Sequence, residues 1–257
     1  MSAESAKHKD EIISQFTSQS IPFAELQEHR EERSLEIFQE LGRFNGGERV
    51  LDSGCGPGLV SCYLAPFVKE ITGVDLTPAM VELAKASAEK KGLSNAHFQL
   101  GDMGSLPIED DSFDASVSRY TFHHLENPSS AFSEMLRVTK SGGKVIVVDV
   151  SPDISKQEAY NTFEIQRDSS HTKALTKEQL CQIGSDAGLN KPEVVSFGLT
   201  MKAEGLINAS FPKKSTREHL LKLLSDDVGI NQLCFNARMD NGCLMMTFPL
   251  TALCWKI

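Results

Sequence analysis

The chain has 257 residues and a formal net charge of -9, and 40% of its residues are hydrophobic. This length accommodates one large domain or a domain with a small cap, and the hydrophobic fraction is sufficient for a proper core. The acidic balance excludes a broad basic surface for nucleic acid, and no run of lysines or arginines supplies one, although a local basic patch stays compatible with the sequence.

The first ten residues are polar and charged and lack the apolar core of a signal peptide, and no stretch reaches the length of a membrane span. Six cysteines are scattered without C-x-x-C spacing, which favours reduced thiols over a zinc site. They are Cys55, Cys62, Cys181, Cys234, Cys243 and Cys254. We therefore expect a cytoplasmic protein without a metal or a membrane span, and the sequence leaves its oligomeric state open.

Two helices are predicted before the first strand. The pattern of residues 4–19 favours a helix, and Ser20-Ile21-Pro22 predicts its end. A second helix is predicted over residues 23–41, and Asn45-Gly46-Gly47 follows it with the residues that end helices.

A glycine-rich turn organises the next part of the chain. A buried strand, Val50 to Asp52, runs directly into Ser53-Gly54-Cys55-Gly56-Pro57-Gly58, and a helix is predicted over residues 59–67. Glycine adopts positive φ and lets a ligand approach the backbone, while a following helix points free N–H groups at the turn. Asp52 adds a negative charge, which suits a ligand with an ammonium group better than one with only phosphates.

The glycine spacing separates this turn from two common nucleotide sites. A nicotinamide dinucleotide site has the pattern G-x-G-x-x-G, whereas Gly54, Gly56 and Gly58 fall as G-x-G-x-G. No Lys-Ser/Thr pair follows, so the turn is not a P-loop. An ordinary strand-to-helix turn is the alternative, but the next strand, residues 70–74, ends in Asp75, where a ribose-binding carboxylate belongs.

From residue 48 onward, strands and helices alternate, which predicts a parallel sheet covered on both faces. The strand over residues 144–150 is nearly all Val and Ile, as expected for burial on both faces. A final apolar strand is predicted over residues 244–255. The other predicted elements are helices over 77–91, 128–139, 156–167, 176–187 and 216–224 and strands over 96–100, 114–118 and 193–199.

Five short motifs together resemble the class I S-adenosylmethionine-dependent methyltransferases. Within that family the chain is most similar to the small-molecule branch that includes the ubiquinone and menaquinone C-methyltransferases. The match covers about residues 48–150 well and both ends loosely. The motifs are Val50-Leu51-Asp52-Ser53-Gly54-Cys55-Gly56-Pro57-Gly58, Gly73-Val74-Asp75, Gly101-Asp102-Met103, Phe113-Asp114 and Arg137-Val138-Thr139-Lys140-Ser141-Gly142-Gly143.

The resemblance implies an α/β fold, Rossmann-like and doubly wound, with a mostly parallel seven-stranded sheet whose last strand is antiparallel. Residues 1–257 would form a single methyltransferase domain. Its parts would be N-terminal helices or a lid in 1–45, a core in 46–200, an inserted cap in 201–242 and the final strand in 243–257. Residues 1–45 could be a loose tail or a lid over the cofactor, and both interpretations stay open.

The resemblance also implies a function. S-adenosyl-L-methionine would be the cofactor and S-adenosyl-L-homocysteine the product, with methyl transfer by in-line displacement to a small-molecule acceptor. A cofactor-binding protein that has lost methyl transfer and serves as an interaction or regulatory module is the alternative, because fold alone does not settle function. A nicotinamide dehydrogenase is disfavoured by the glycine spacing. No nucleic-acid partner is expected.

The expected cofactor site lies beyond the carboxyl ends of the strands. The resemblance implies that Asp52 and the three glycines face the methionine part and that Asp75 accepts from both ribose hydroxyls. Asp102 and Met103 would bracket the adenine, with Asp102 accepting from its amino group.

Three further residues are candidates for the cofactor site. Leu76 and Met80 could pack on the adenine or the ribose, although core packing is the alternative for both. Arg119 could hold the cofactor carboxylate or pair with a nearby acid.

The histidines are the candidate catalytic residues, with His124 and His171 preferred. His123 and His124 are adjacent, and neighbouring residues do not converge on one metal ion, so one could cap its loop while the other faces substrate. His171 lies in a polar segment before a helix. It could belong to a solvent-exposed loop, or it could contact substrate with Asp168 as its orienting group.

Overall fold

The computed structural model describes residues 3–28 and 32–257 of the chain. One mixed sheet lies at its centre, with the strand order β3-β2-β1-β4-β5-β8-β6 and a short β7 paired with β8. The strands are β1 (Arg49–Ser53), β2 (Glu70–Asp75), β3 (Ala96–Leu100), β4 (Phe113–Arg119), β5 (Thr139–Val150), β6 (Glu193–Lys202), β7 (Arg238–Asp240) and β8 (Cys243–Lys256).

The pairing of the strands confirms the predicted doubly wound sheet. Strands β1 to β5 pair in parallel, whereas β8 is antiparallel to both β5 and β6. The chain winds outward from β1 through β2 to β3, then returns to the other side of β1 to form β4. This reversal creates a switch point, where the carboxyl ends of β1 and β4 leave a crevice for a ligand.

Helices cover the sheet. They are α1 (Ala3–Glu28), α2 (Glu32–Gly42), α3 (Leu59–Leu64), α4 (Pro78–Lys90), α5 (Pro128–Val138), α6 (Gln157–Arg167), α7 (Lys177–Asp186), α8 (Ala203–Ala209) and α9 (Arg217–Asp226). Helices α5, α7 and α9 begin with a side-chain cap. Thr176 caps α7 in a full capping box with Gln179, which satisfies two otherwise unpaired N–H groups. No helix among the described residues has both the length and the apolarity needed to cross a membrane.

The predicted helix break at Ser20-Ile21-Pro22 is wrong, because α1 continues through these residues to Glu28. A proline ring fixes φ near the helical value and removes one hydrogen bond, so it weakens a helix without forbidding it. The first half of α1 is also held by tertiary contacts, since the side chain of Gln15 is fully buried and donates to the Ser210 carbonyl at 2.9 Å. The second helix accordingly starts at Glu32.

Apolar side chains bury both faces of the sheet. On one face, Ile37 and Phe38 of α2 are fully buried against β1, β4 and β5. On the other, Phe132 of α5 packs edge-on against Trp255 with ring centroids 4.9 Å apart. Gly184 of α7 makes room for this indole, because a Cβ there would lie 2.1 Å from its Nε1.

A third apolar cluster joins α6, α8 and α9 to the first half of β8. Its centre is Phe235, which contacts the rings of Tyr160, Phe163 and Phe248 at centroid distances of 4.7, 5.1 and 5.3 Å. Aromatic pairs of this kind contribute about 0.5–1.5 kcal/mol each beyond the area they bury. The cluster fixes α6, and with it the segment that follows α6, beside the carboxyl ends of the strands.

Candidate active site

A cavity of about 510 Å³ opens at the carboxyl ends of β1, β2 and β4. Its floor is the glycine turn after β1, one side is formed by the ends of β2 and β3, and the other by the loop after β4. The first half of α1 covers it. Most of the predicted site residues line it, namely Asp52, Gly54, Gly56, Asp75, Leu76, Met80, Asp102, Met103, Arg119 and His124.

The three glycines of the turn have positive φ but different surroundings. A Cβ on Gly56 (φ 51°) would have no heavy atom of the described chain within 4 Å, so this backbone is open to the cavity. On Gly54 (φ 72°) a Cβ would lie 2.7 Å from the side chain of Thr121, and on Gly58 (φ 80°) it would lie 2.9 Å from Ala84. The absence of a side chain at Gly54 therefore leaves room for Thr121 of the β4 loop. Gly58 is not part of the cavity wall, and its lack of a side chain lets α3 pack on α4.

Asp52 presents an unsatisfied carboxylate oxygen at the cavity. The residue is 1% exposed, and its Oδ2 accepts from the Ser61 hydroxyl at 2.6 Å and from the Ser61 N–H at 3.1 Å. Its Oδ1 is buried and has no hydrogen-bond partner among the described residues. Burial raises the pKa of Asp52 to about 6, against the opposing effects of Ser61 and Arg119. A buried, unpaired carboxylate oxygen is a site for a cationic donor.

Asp75 braces the glycine turn. Its Oδ2 accepts from the Gly56 N–H and its Oδ1 from the Thr77 N–H, both at 2.8 Å. Burial raises the pKa of Asp75 in spite of these two hydrogen bonds. Each carboxylate oxygen has two lone pairs, so Asp75 retains acceptor capacity toward the cavity. Leu76 and Met80 follow it along the wall.

Asp102 connects the strand ends to α1. Its Oδ1 accepts from the Gly104 N–H at 2.8 Å, and its Oδ2 forms an ion pair with Lys9 of α1. Met103 is beside it and is 6% exposed. A ligand group that binds Asp102 here would share the carboxylate with Lys9.

Arg119 and Tyr120 form the end of β4 at the cavity. Arg119 is 9% exposed, donates to the Ser34 hydroxyl at 2.9 Å and lies over the Tyr120 ring with 4.8 Å to the centroid. Tyr120 has φ 54°. A bulky residue in this conformation costs about 1–3 kcal/mol, and such strain is concentrated at functional sites.

Helix α1 supplies a wall that no motif indicated. His8, Lys9, Ile12 and Phe16 all line the cavity, and the His8 Nε2–H donates to the His124 carbonyl at 2.8 Å. Phe16 packs edge-on against the His124 ring at 4.9 Å. The sequence analysis had left a loose tail and a lid open for residues 1–45, and it singled out none of these four residues.

His124 is 6% exposed and lies between the cavity and the segment after α6. Its Nδ1 is 3.2 Å from the Ser170 carbonyl oxygen and 3.1 Å from the Ser170 hydroxyl. Burial, followed by the neighbouring His123, lowers the pKa of His124 to about 3. Its imidazole is therefore neutral at physiological pH.

The other two histidines lie behind His124 and outside the cavity wall. Burial lowers the pKa of His123, but Asp149 outweighs this by accepting at 2.6 Å from Nδ1, and the net shift is upward. His171 is 5% exposed and donates from Nε2 to Asn161 Oδ1 at 2.7 Å. The solvent-exposed interpretation of His171 is wrong, because the polar segment folds inward, and burial strongly lowers the pKa of this imidazole. The side chain of Asp168 is bonded to Ser170 instead of orienting His171.

Comparisons with known proteins agree with this geometry. The family model described as "Methyltransferase domain" matches residues 51–147, which contain the glycine turn, Asp75 and Asp102. An uncharacterized methyltransferase of Bacillus subtilis, YcgJ, is 37% identical over 161 residues, an alignment covering 59% of this chain and 64% of that protein. An uncharacterized protein of Escherichia coli, YafE, is 32% identical over 152 residues, covering 58% of this chain and 73% of that protein. The chain thus spans less than two thirds of YcgJ in the sequence alignment.

Solved structures extend the similarity beyond the matched domain. The crystal structure of YcgJ superposes with a TM-score of 0.78 at 27% identity, covering 87% of this chain and 97% of that one. A phosphoethanolamine N-methyltransferase of Haemonchus contortus, solved with phosphomonomethylethanolamine and S-adenosylhomocysteine, gives a TM-score of 0.62 at 21% identity. That likeness covers 88% of this chain and 52% of the other and shows the fold alone. The ubiquinone and menaquinone branch is not singled out, but the wider resemblance is confirmed, and the chain belongs to the class I S-adenosylmethionine-dependent methyltransferases.

Proposed function

We propose that this protein transfers the methyl group of S-adenosylmethionine to a small-molecule acceptor by in-line displacement. The observation that carries the proposal is one covered cavity in which the buried, unpaired Asp52 oxygen, the open Gly56 backbone and His124 meet. The Asp52 oxygen and the Gly56 backbone are features of a cofactor site. His124 lies on the opposite wall, next to α1.

The residues of the cavity fit this cofactor. Asp52 Oδ1 would accept from the cofactor ammonium, and the lone pairs left on Asp75 would accept from the ribose hydroxyls. Met103, with Leu76 and Met80, offers an apolar surface for the adenine. When bound, the cofactor supplies an activated methyl group on a positively charged sulfur, so the difficult chemistry is its own.

The protein then has to exclude water and align the acceptor. Helix α1 covers the cavity through His8, Lys9, Ile12 and Phe16, and it is tied to its surroundings by the Lys9–Asp102 ion pair and by Gln15. These contacts support the interpretation of α1 as a lid, whereas α2 packs on the sheet. Alignment of reacting groups can contribute roughly 7–11 kcal/mol to lowering a barrier.

His124 is the best-placed base for an acceptor that arrives protonated. It is neutral, lines the cavity and contacts Phe16 of the lid. A positioned base of this kind contributes roughly 10²–10⁴-fold to a rate. His171 is the weaker candidate, because Asn161 occupies its Nε2 and it does not line the cavity.

The covered cavity favours an acceptor of low molecular weight. Small ligands occupy cavities of roughly 300–1,000 Å³, and the observed cavity of about 510 Å³ falls within this range. The Haemonchus enzyme carries a small acceptor on the same fold. The net charge of -9 also disfavours nucleic acid as substrate.

Two measurements on the purified full chain test the proposal. Calorimetry should show S-adenosylhomocysteine binding with a dissociation constant of about 1 μM or tighter, near -8 kcal/mol, without competition from NAD. Incubation with methyl-labelled cofactor and a panel of phenols, amines, thiols and carbon acids should then give a labelled product. Tight NAD binding would contradict the cofactor assignment, whereas cofactor binding without transfer to any acceptor would favour the binding-module alternative.

A further inference from the structure

We propose that Ser170 and Asp168 are positioning residues for His124, which hold its imidazole in the tautomer with the proton on Nδ1 and the lone pair on Nε2. The catalytic consequence rests on the proposed methyl transfer, whereas the tautomer follows from hydrogen bonds within this chain. Neither residue lines the cavity, so both act through His124.

The hydrogen bonds around Nδ1 determine where the proton lies. The Ser170 carbonyl, 3.2 Å from Nδ1, can only accept. The Ser170 hydroxyl, 3.1 Å from Nδ1, has its single proton directed to Asp168 Oδ1, at the shorter distance of 2.6 Å. Nδ1 thus faces two acceptors and must carry the proton, and in a neutral imidazole this leaves Nε2 unprotonated.

Charges near His124 act in both directions. Burial opposes ionisation of Asp168, but Arg167 and the Ser170 hydrogen bonds favour the ionised form, so the net pKa shift of Asp168 is downward and the side chain stays a carboxylate at 3% exposure. Arg167 donates two hydrogen bonds to Glu164, at 2.8 and 2.5 Å. Glu164, Arg167 and Asp168 together therefore carry a net charge of one negative unit.

The same surroundings keep His124 neutral before it reacts. Its ring centroid is 4.1 Å from that of His123 and 6.5 Å from that of His171. His123 disfavours a charge on His124, whereas Asp168 and Asp149 favour it. A proton on Nε2 would be paired, through Nδ1–H and Ser170, with the excess charge of Asp168.

The segment after α6 is fixed against the β4 loop, so the arrangement is preorganised. The Thr172 N–H and hydroxyl donate to the His123 carbonyl at 2.9 and 2.8 Å, and the hydroxyl is also 3.0 Å from the Leu125 carbonyl. Asp168 Oδ1 accepts from the Ser170 N–H at 2.9 Å as well. These bonds set the Ser170 carbonyl and hydroxyl on the Nδ1 side of the ring.

The acceptor's X–H bond breaks and its proton passes to His124 Nε2, while the acceptor's electron pair forms the new bond to the methyl carbon. The electron pair of the broken sulfur–carbon bond stays on sulfur, which becomes neutral. The His124 imidazolium then returns its proton to water when the lid opens.

Nitrogen-15 NMR on histidine-labelled full chain, saturated with S-adenosylhomocysteine, tests the tautomer without any acceptor. The His124 signals, assigned by their loss in His124→Asn, should show Nδ1 protonated and Nε2 unprotonated. Asp168→Ala removes the acceptor of the Ser170 hydroxyl, which is then free to donate to Nδ1, so the population should shift toward Nε2–H. Ser169→Ala is the matched control, because this neighbouring hydroxyl donates to Gln15 at 3.0 Å and should leave His124 unchanged.

The outcomes separate the two proposals. A wild-type protein with the proton on Nε2, or an Asp168→Ala variant with an unchanged tautomer, overturns the inference even if methyl transfer is found. The wild-type spectrum needs no variant and decides the question even if Asp168→Ala does not fold. With an acceptor in hand, Asp168→Ala should lower kcat by at most the roughly 10²–10⁴-fold contribution of the base, with cofactor affinity unchanged.

Discussion

The two halves of the cavity are built in different ways. The proposed cofactor half uses backbone groups and acids at the ends of neighbouring strands, as in the hydrogen bond from the Gly56 N–H to Asp75. The proposed acceptor half uses side chains from α1, the β4 loop and the segment after α6. Its contacts join residues far apart in sequence, with His8 separated from His124 by 116 positions and His124 from Ser170 by 46. Sheet geometry holds the first half, whereas tertiary packing holds the second.

The largest effect is expected from Gly56→Val in the cofactor half. Because a Cβ there meets no described heavy atom, the added side chain would fill ligand space, and cofactor binding should become undetectable by calorimetry. Gly92→Val is the matched control, since Gly92 also has positive φ (68°) and an open Cβ position but lies outside the cavity wall. Both variants carry about 1–2 kcal/mol of backbone strain, and circular dichroism should stay near wild type. Retained binding in Gly56→Val would show that the turn does not contact the cofactor.

The next largest effect tests the acceptor half. His124→Ala should lower the methylation rate by roughly 10²–10⁴-fold, because it removes the proposed base, with S-adenosylhomocysteine affinity unchanged within a few-fold. His171→Ala removes an equally buried imidazole outside the cavity wall and should retain most of the rate. Single-turnover rates under saturating cofactor give the comparison. Near wild-type rates in both variants would mean that the acceptor arrives deprotonated and that alignment alone suffices.

A smaller effect is expected at Asp75, where cofactor binding can be separated from the support that this side chain gives to the glycine turn. Asp75→Ala should weaken S-adenosylhomocysteine binding by about ten- to a few hundred-fold, since hydrogen bonds to a charged group contribute roughly 1.5–3 kcal/mol each. The melting temperature should also fall, because the Gly56 and Thr77 N–H groups lose their acceptor. Asp114→Ala, which removes an acceptor of the Arg49 N–H at the other end of the sheet, should lower stability without changing affinity. Equal affinities in the two variants would remove Asp75 from the cofactor site.

A last effect, comparable in size to that of Asp75→Ala, is a dependence on pH that belongs to Asp52. Its folded pKa of about 6 lies above the ordinary 3.8, so the folded state holds the extra proton and loses up to about 3 kcal/mol of stability as pH rises through this window. Cofactor affinity should change in the opposite direction. The cofactor ammonium requires ionised Asp52, so affinity should fall as pH drops below about 6 and Asp52 becomes protonated. Thermal melts and calorimetry across this range measure both. If Asp52→Asn keeps either dependence, another group is responsible.

The same comparison explains how much could be predicted from the sequence. Asp52, Gly56 and Asp75 were recognisable because a short motif and the next strand end lie together once the sheet is parallel. Ser170 and Lys9 were not, because Lys9 reaches Asp102 across 93 positions and only the packing of α1 brings them together. The helix end predicted at Pro22 failed for a related reason, since local propensity was overridden by tertiary anchoring at Gln15. His171 was singled out by composition, but burial and Asn161 turned it away from the cavity.

The position of β8 has a consequence for how this protein can diverge. Since β8 lies between β5 and β6, the excursion over residues 203–242 begins and ends at neighbouring antiparallel strands, with Lys202 paired to Met245, and its last residues pair with β8 as β7. Doubling the length of such a closed loop costs only about 0.6 kcal/mol in closure entropy. Insertions and exchanges there can accumulate while the sheet and its cofactor-binding edge stay intact. None of residues 203–242 lines the cavity, so changes there would reach the proposed acceptor side only through the Phe235 cluster, which fixes α6 and the segment after it.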